Sequence, residues 1–186
     1  MSMGPVRLIS LGLAALAACD AGTAPTTTEE TAGSRPALAG AGGLDLVAAG
    51  NYRVIAPEEV FGVEIGGAFT FDARKDASGA EAGHFRYDEI YPDQVLTYEG
   101  IVTCVNVYDG TRAKIGGVIT ETNDPAFPAG NFLWWQTKDN GLSDADWSSL
   151  AGGGTEAENE AFCDSPNLPR FGPFPVLHGN SEVKDF

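Results

Sequence analysis

The residues best suited to bind a ligand lie in one polar run, Asp139-Asn140-Gly141-Leu142-Ser143-Asp144-Ala145-Asp146. Its carboxylate and amide members are Asp139, Asn140, Asp144 and Asp146. Such oxygens are the ligands that Ca²⁺ takes, but the run lacks the EF-hand spacing and the final bidentate glutamate. The alternative is a turn into a helix, with Ser143 and Asp146 spaced as in a capping box. We therefore predict binding candidates here, with no metal site and no cofactor.

Trp134 and Trp135 are the second candidate, because an outward-facing tryptophan can stack on a sugar ring or contact a partner protein. Successive residues of a strand face opposite sides of a sheet. We therefore expect one ring in the core and the other outside. Packing of both rings within core and sheet is the alternative.

No pattern in the sequence is typical of a catalytic site. His84 and His178 lie far apart, neither belongs to a Ser/His/Asp or Cys/His motif, and there is no Gly-x-Ser-x-Gly elbow. Both histidines are expected on the surface or on an edge strand. The many carboxylates leave room for a glycosidase-like pair without selecting one.

An N-terminal segment has the pattern of an export signal. Arg7 precedes an apolar run, residues 8–16, that is too short to span a bilayer as a helix. The run ends in Leu16-Ala17-Ala18-Cys19, which resembles the lipobox of bacterial lipoproteins. The resemblance implies cleavage before Cys19 and a lipid on its thiol, which would anchor the protein to a bacterial membrane, facing the periplasm or the cell exterior. An ordinary secretory signal with a coincidental cysteine is the alternative.

Three regions follow from this interpretation: a signal peptide at 1–18, a tether at 19–43 and a β-domain at 44–186. The tether is rich in Ala, Gly, Thr and Pro and shows no hydrophobic period, which predicts disorder. A flexible chain of this length has a reach of about 27 Å.

Cys104 and Cys163 remain once Cys19 is assigned to lipid, and an even pair in an oxidising compartment predicts a disulfide. Closing a loop of this length would stabilise the fold by about 4 kcal/mol. Two free thiols are the alternative. A zinc site is disfavoured, because the cysteines and histidines lack the spacing of zinc motifs.

Period-two alternation dominates the β-domain and predicts strands. One hairpin is expected from Gly67 to Ile90, and a second with a two-residue turn of positive φ at Asp109-Gly110. Gly116-Gly117 in the second arm of that hairpin indicates a bulge or a close backbone contact. Further expectations are a strand over 131–138, a helix over 155–160, a glycine hinge at 152–154 and a last strand from 176 that is broken at Gly179-Asn180. Together these elements predict an all-β fold, an antiparallel β-sandwich or small β-barrel with one or two short helices.

Several short segments resemble the body of uncharacterised small secreted all-β proteins of bacteria. They are Phe69-Thr70-Phe71-Asp72-Ala73, Gly83-His84-Phe85, Val102-Thr103-Cys104-Val105, residues 113–118, Asp139-Asn140-Gly141, Cys163, and Gly179-Asn180 with Val183. The resemblance implies the fold and export, and no reaction comes with it.

The charge of the chain limits its partners. A net charge of −15 argues against nucleic acid, since phosphate binding needs clustered Lys and Arg. We expect a lipid-anchored, non-enzymatic binding or structural module of the cell envelope, with membrane contact through its lipid and an envelope protein or glycan as partner. The alternative is an envelope hydrolase or a lipocalin-like carrier of a small ligand.

The lipobox predicts a specific modification. Mass spectrometry of protein isolated from its native membrane should find Cys19 as the N-terminal residue, carrying acyl chains. The Cys19→Ser variant should leave the membrane fraction. An intact Met1 on the mature wild-type protein would contradict this prediction.

Overall fold

The computed structural model describes residues 45–142, 144–167 and 172–184. The predicted signal peptide, tether and Cys19 lie outside these residues, as does Ser143. Within the described ranges the chain forms nine strands and two helices. They are β1 (Asp45–Ala56), α1 (Glu58–Phe61), β2 (Ile65–Lys75), β3 (Glu81–Ile90), β4 (Val95–Tyr108), β5 (Arg112–Thr122), β6 (Phe132–Lys138), β7 (Trp147–Ser148), β8 (Gly152–Gly154), α2 (Glu156–Asp164) and β9 (Phe174–Val183).

The strands close into an antiparallel ring. Strands β1 to β6 pair in sequence order. On its other edge β6 pairs with both β7 and β8, and β9 pairs with β7 on one side and β1 on the other. The short strands β7 and β8 therefore act as one interrupted strand of an eight-position, up-and-down barrel. The prediction of an all-β sandwich or small barrel with short helices is confirmed, in the barrel form.

Both predicted hairpins are present, as β2–β3 and β4–β5. Asp109 and Gly110 have the positive φ values that the Asp-Gly pair predicts, 58° and 66°. The turn is one residue longer than the predicted two-residue type, because Tyr108 pairs with Arg112 and leaves Asp109, Gly110 and Thr111 between the strands. The register shifts between Val102 and Cys104, so the bulge lies at Thr103 of β4, opposite Gly116 and Gly117 and not in their own strand. The close backbone contact that was the other prediction for these glycines is present, since a Cβ on Gly117 would be 2.2 Å from the Ile101 carbonyl oxygen.

Aromatic rings fill the barrel around Trp135 of β6. Its ring centroid lies 5.6 Å from that of Phe69, 5.3 Å from Phe71 and 5.5 Å from Phe85. Seven aromatic side chains of the core are at most 5% exposed: Tyr52, Phe69, Phe71, Phe85, Tyr87, Tyr98 and Trp135. Period-two alternation sends these side chains inward from five strands, which leaves the middle of the barrel packed with protein.

Helix α2 covers the outside of β4, β5 and β6. Thr155 and Glu158 form a capping box at its start, with the Thr155 N–H donating to Glu158 Oε2 at 2.9 Å. The helix predicted over 155–160 is therefore present and runs to Asp164. Near its end, Cys163 forms the predicted disulfide with Cys104 of β4, across a Cα–Cα distance of 6.3 Å.

A lysine is buried under this helix. Lys114 is 2% exposed, and its Nζ donates to the Phe162 carbonyl oxygen at 3.0 Å. The same nitrogen lies 4.3 Å from the centre of the Phe162 ring. Burial, and secondarily the charge of Arg112, lowers the pKa of Lys114.

Three local expectations were wrong. Residues 152–154 form strand β8 and not a hinge, because without Cβ atoms they can lie against Trp134; a Cβ on Gly152 would be 2.7 Å from its Nε1. Residues 144–146 form no helical turn and lead straight into β7. Strand β9 continues through Gly179-Asn180, since Gly179 has a φ of 84° that lets its backbone pass close to Asn51 while pairing is kept.

Candidate functional site

The loop between β5 and β6 lies across one end of the barrel. At one side of the opening, the Phe127 ring packs edge-on against Tyr98 of β4, with centroids 6.4 Å apart. At the other side it approaches β8 so closely that a Cβ on Gly153 would be 2.5 Å from it. Strands β5 and β6 lie between β4 and β8 in the barrel wall. Because the Phe127 side chain contacts both β4 and β8, it must lie over the end of the barrel.

Asp124 holds this loop in place. Its Oδ2 accepts a hydrogen bond from the Tyr98 hydroxyl at 2.8 Å, and its Oδ1 accepts from the Ala126 N–H at 2.8 Å. Asn123 adds two bonds to the start of β4: its Oδ1 accepts from the Thr97 N–H at 2.8 Å, and its Nδ2 donates to the Val95 carbonyl at 3.1 Å. Side chains of the loop therefore supply the contacts that strand pairing does not make here.

Beneath the loop is an open pocket of about 250 Å³, which we call the mouth pocket. Its lining combines aromatic, small and acidic side chains: Tyr87, Glu89, Tyr98, Asp124, Ala126, Phe127, Leu133, Ala151 and Gly153. Converging polar groups in a partly apolar concavity are typical of small-molecule sites.

Tyr87 forms the floor of the mouth pocket and is 2% exposed. Its hydroxyl oxygen is buried and makes no hydrogen bond of ordinary geometry. Burial, followed by the charge of Glu89, raises the pKa of Tyr87 well above its usual value, while a hydrogen bond from the backbone of Ala151 opposes the shift. A buried hydroxyl so poorly paired is costly to stability.

Glu89 lies on the same face of β3 as Phe85 and Tyr87, so its carboxylate belongs to the inner wall at the mouth. Burial raises the pKa of Glu89, the charge of Asp124 raises it further, and a hydrogen bond from Tyr91 lowers it. Burial and the bond to Asp124 also raise the pKa of Tyr98.

The mouth pocket is negatively charged. Among the described residues, neither Glu89 nor Asp124 takes part in an ion pair, and no lysine, arginine or histidine lines the pocket. The two carboxylates therefore present an uncompensated charge beside aromatic rings.

The acidic run predicted as a binding candidate lies elsewhere, at the junction of β6, β7 and β9. Asp146 is 8% exposed, and its two oxygens accept from the Asn140 N–H at 2.9 Å and from the Ser181 N–H at 2.8 Å. Asp139 accepts from the Gly141 N–H at 2.7 Å and from the Val183 N–H at 3.3 Å. Both oxygens of each carboxylate therefore bind backbone N–H groups that join the loop to β9 or close the loop, which is a structural role.

The remaining members of the run also favour a structural role. Asn140 donates through Nδ2 to the Ala145 carbonyl at 2.7 Å, which closes the loop on itself, and Asp144 is exposed. Asp139 and Asn140 line a surface depression together with Lys138, whose positive charge would oppose a bound metal ion. The described residues contain no group of three or more His, Cys, Asp or Glu side chains placed to hold a metal.

The two tryptophans divide between the faces of β6, as predicted. Trp135 is 1% exposed in the barrel core. Trp134 faces outward but is half-buried by α2, with its ring centroid 6.1 Å from that of Phe162. Little of the Trp134 ring is therefore free to stack on a sugar.

Neither histidine lines the mouth pocket. The side chain of His84 is 82% exposed, with its Nδ1 4.0 Å from Asp72. His178 lies on β9 and lines an outer groove with Arg53 and Leu177.

Sequence reasoning missed all four polar residues of the mouth pocket, Tyr87, Glu89, Tyr98 and Asp124. One signal was available for Glu89, because it continues the inward-facing positions of β3 and places a charge on an otherwise apolar face. Asp124 carried no such signal, because its neighbours come from the far side of a hairpin.

Comparison with known proteins adds no constraint on function. No family model, curated protein or solved structure matches this chain. In the described residues no helix is long and apolar enough to cross a membrane. The geometry of the fold is therefore the basis of the functional argument.

Asp146→Asn should destabilise the protein by about 2 kcal/mol, because an amide has one acceptor oxygen for two buried N–H donors. Asp144→Asn makes the same chemical change on the exposed part of the run and should alter stability by less than about 0.5 kcal/mol. Urea unfolding of both variants measures the difference. Equal effects would show that the buried bonds of Asp146 are not important.

Glu89→Gln should stabilise the protein at pH 7. The folded-state pKa of Glu89 is raised above its ordinary value of 4.5, so ionisation costs stability as the pH rises through the folded pKa. The gain should therefore vanish below about pH 4, where the carboxyl is protonated in both states. The free energies of unfolding of wild type and variant, measured between about pH 4 and pH 7, test this pH dependence. Glu121→Gln is the control, because Glu121 is exposed at the same end of the barrel. A gain that persists at low pH would exclude ionisation as the cause.

Proposed function

We propose that this chain is a lipid-anchored binding module of a bacterial cell envelope, and that it binds a small ligand in the mouth pocket. One observation carries the binding proposal. In a barrel whose interior is packed with aromatic rings, an open pocket is lined by Glu89 and Asp124, which have no ion-pair partner among the described residues, and by aromatic rings; the buried Tyr87 hydroxyl at its floor makes no hydrogen bond of ordinary geometry beyond a contact with the Ala151 backbone. A ligand with polar groups would complete these contacts.

The size of the mouth pocket limits the ligand. A volume of about 250 Å³ is below the ~300–1,000 Å³ typical of sites for drug-sized molecules. The packed core around Trp135 leaves no deep lumen, so the ligand would be held at the barrel end and not enclosed as in a wide carrier barrel. A single small metabolite fits this description better than an extended glycan.

An envelope hydrolase is the second candidate, because Glu89 has a raised pKa and lies near a second carboxylate. Such a pair is typical of glycosidases, where one acid is protonated and the other ionised. Against it, both oxygens of Asp124 already hold the β5–β6 loop, through Tyr98 and Ala126. A residue so fixed is better suited to shape a pocket than to attack a substrate or activate water.

The anchoring half of the proposal rests on Cys19 and the residues before it. A lipid on Cys19 and a tether over residues 19–43 would hold the barrel near a membrane with freedom to meet soluble ligands. The net charge of −15 would keep the barrel apart from anionic lipid headgroups.

Binding at the mouth can be tested with full-length protein in nonionic micelles. A panel of small amines, carboxylates, monosaccharides and neutral alcohols is titrated while amide chemical shifts are followed by NMR. At least one class should produce saturable shifts at Tyr87, Glu89 and Phe127. Phe127→Ala should weaken that binding roughly tenfold, since it removes one apolar wall.

Phe162→Ala is the matched control, because it truncates another half-buried phenylalanine, which lies on α2 against Trp134 and does not line the mouth pocket. The affinity of this variant for the same ligand should stay within about twofold of that of wild type. Failure of every class to bind, or saturable shifts confined to other parts of the barrel, would overturn the proposed function.

A further inference from the structure

We infer that the mouth pocket binds the primary ammonium group of a small amine. This inference rests on the proposed function and specifies its ligand class. It follows from three properties of the pocket: its acceptor groups, its aromatic faces and its uncompensated negative charge.

Three side chains of the mouth pocket carry hydrogen-bond acceptors. The Tyr87 hydroxyl is buried and makes no hydrogen bond of ordinary geometry, and its contact with the Ala151 backbone uses at most one lone pair of the oxygen, which leaves a second one to accept. The Glu89 carboxylate lines the same pocket, and Asp124 retains acceptor capacity beyond the two bonds it makes, since a carboxylate offers about four lone-pair sites. An –NH₃⁺ group has three N–H donors, which matches three acceptors drawn from β3 and the β5–β6 loop.

The aromatic rings favour a cation at the same place. Phe69 and Tyr98 stack on the two sides of Tyr87, with centroids 4.6 and 5.9 Å away, so the rings left to contact a cation are Tyr98 and Phe127, which meet at 79°. Faces of such rings carry negative potential and attract ammonium groups. The apolar side chains of Leu133 and Ala151 complete the wall and would contact a short alkyl chain.

The negative charge of the mouth pocket and its set of acceptors argue against the other classes of ligand. An anion would face two carboxylates without a basic residue in the lining, and a neutral alcohol would leave their charge uncompensated. A quaternary ammonium would satisfy the charge but has no N–H to give the Tyr87 hydroxyl. A divalent metal would find two carboxylates, and the described residues bring no third metal-ligating side chain near them.

The test compares probes of similar size on full-length protein in nonionic micelles, in an amine-free phosphate buffer at constant ionic strength. The probes are butylammonium, butanol, butyrate, tetramethylammonium and, in a separate non-phosphate buffer, calcium chloride. Butylammonium should bind saturably, with shifts at Tyr87 and Glu89, at least tenfold more tightly than any other probe.

Variants locate the contacts. Glu89→Gln keeps the shape of the side chain and should weaken butylammonium binding about tenfold or more. Glu121→Gln removes an equal charge from the same barrel end outside the mouth pocket and should change affinity by less than about twofold. Tyr87→Phe should reduce the preference for butylammonium over tetramethylammonium, because it removes an acceptor that only the primary amine uses.

The outcomes separate the inference from the proposed function. Tighter binding of butanol, butyrate or calcium at the mouth would overturn the amine assignment while the binding function stands. Equal binding of tetramethylammonium would overturn the primary-ammonium assignment. If no probe and no member of the wider panel binds, both proposals fail. The wild-type probe comparison decides the matter even if a variant does not fold.

Discussion

Closure of the barrel depends on the short seam between β7 and β9. Within the part of the chain that the structure describes, two residue pairs join these strands, Trp147 with Pro175 and Ser148 with Phe174. Asp146 and Asp139 extend the seam by accepting backbone N–H groups of β9, and charge-assisted bonds of this kind are stronger than neutral ones. Closure leaves no long open sheet edge and encloses the aromatic core.

The disulfide acts on the same part of the chain from the outside. Cys163 ends α2 against β4, so the segment that leads to β9 begins from a fixed point on the barrel wall. Lys114 beneath the helix donates to the Phe162 carbonyl and lies over its ring, which satisfies a charge that would otherwise be costly to bury. The last strand itself pairs with β1 from Ala48 to Val54, which closes the barrel on its other side.

The mouth pocket exists because the side chains that face the interior change from aromatic to acidic towards the end of the barrel. Along β3 the inward positions pass from Phe85 and Tyr87 to Glu89, while the β5–β6 loop adds Asp124 above them. Half-burying two carboxylates without a cation opposes stability, as the raised pKa of Glu89 shows. Charged groups that cost stability in this way are common at ligand-binding and catalytic sites. The mouth pocket, and not the seam between β7 and β9, is therefore the candidate site.

The sequence by itself determined the local elements, because strand alternation, the Asp109-Gly110 turn and the capping residue Thr155 act over a few neighbouring positions. Counting cysteines also paired Cys104 with Cys163. Only the tertiary structure decided which polar residues form a site. The run from Asp139 to Asp146 has the composition of a ligand loop, yet its oxygens bind N–H groups of β9, some 35 to 44 positions away. Glu89, Tyr98 and Asp124 meet only because hairpins bring separate strands and a loop together, and local patterns carry no information about such long-range contacts.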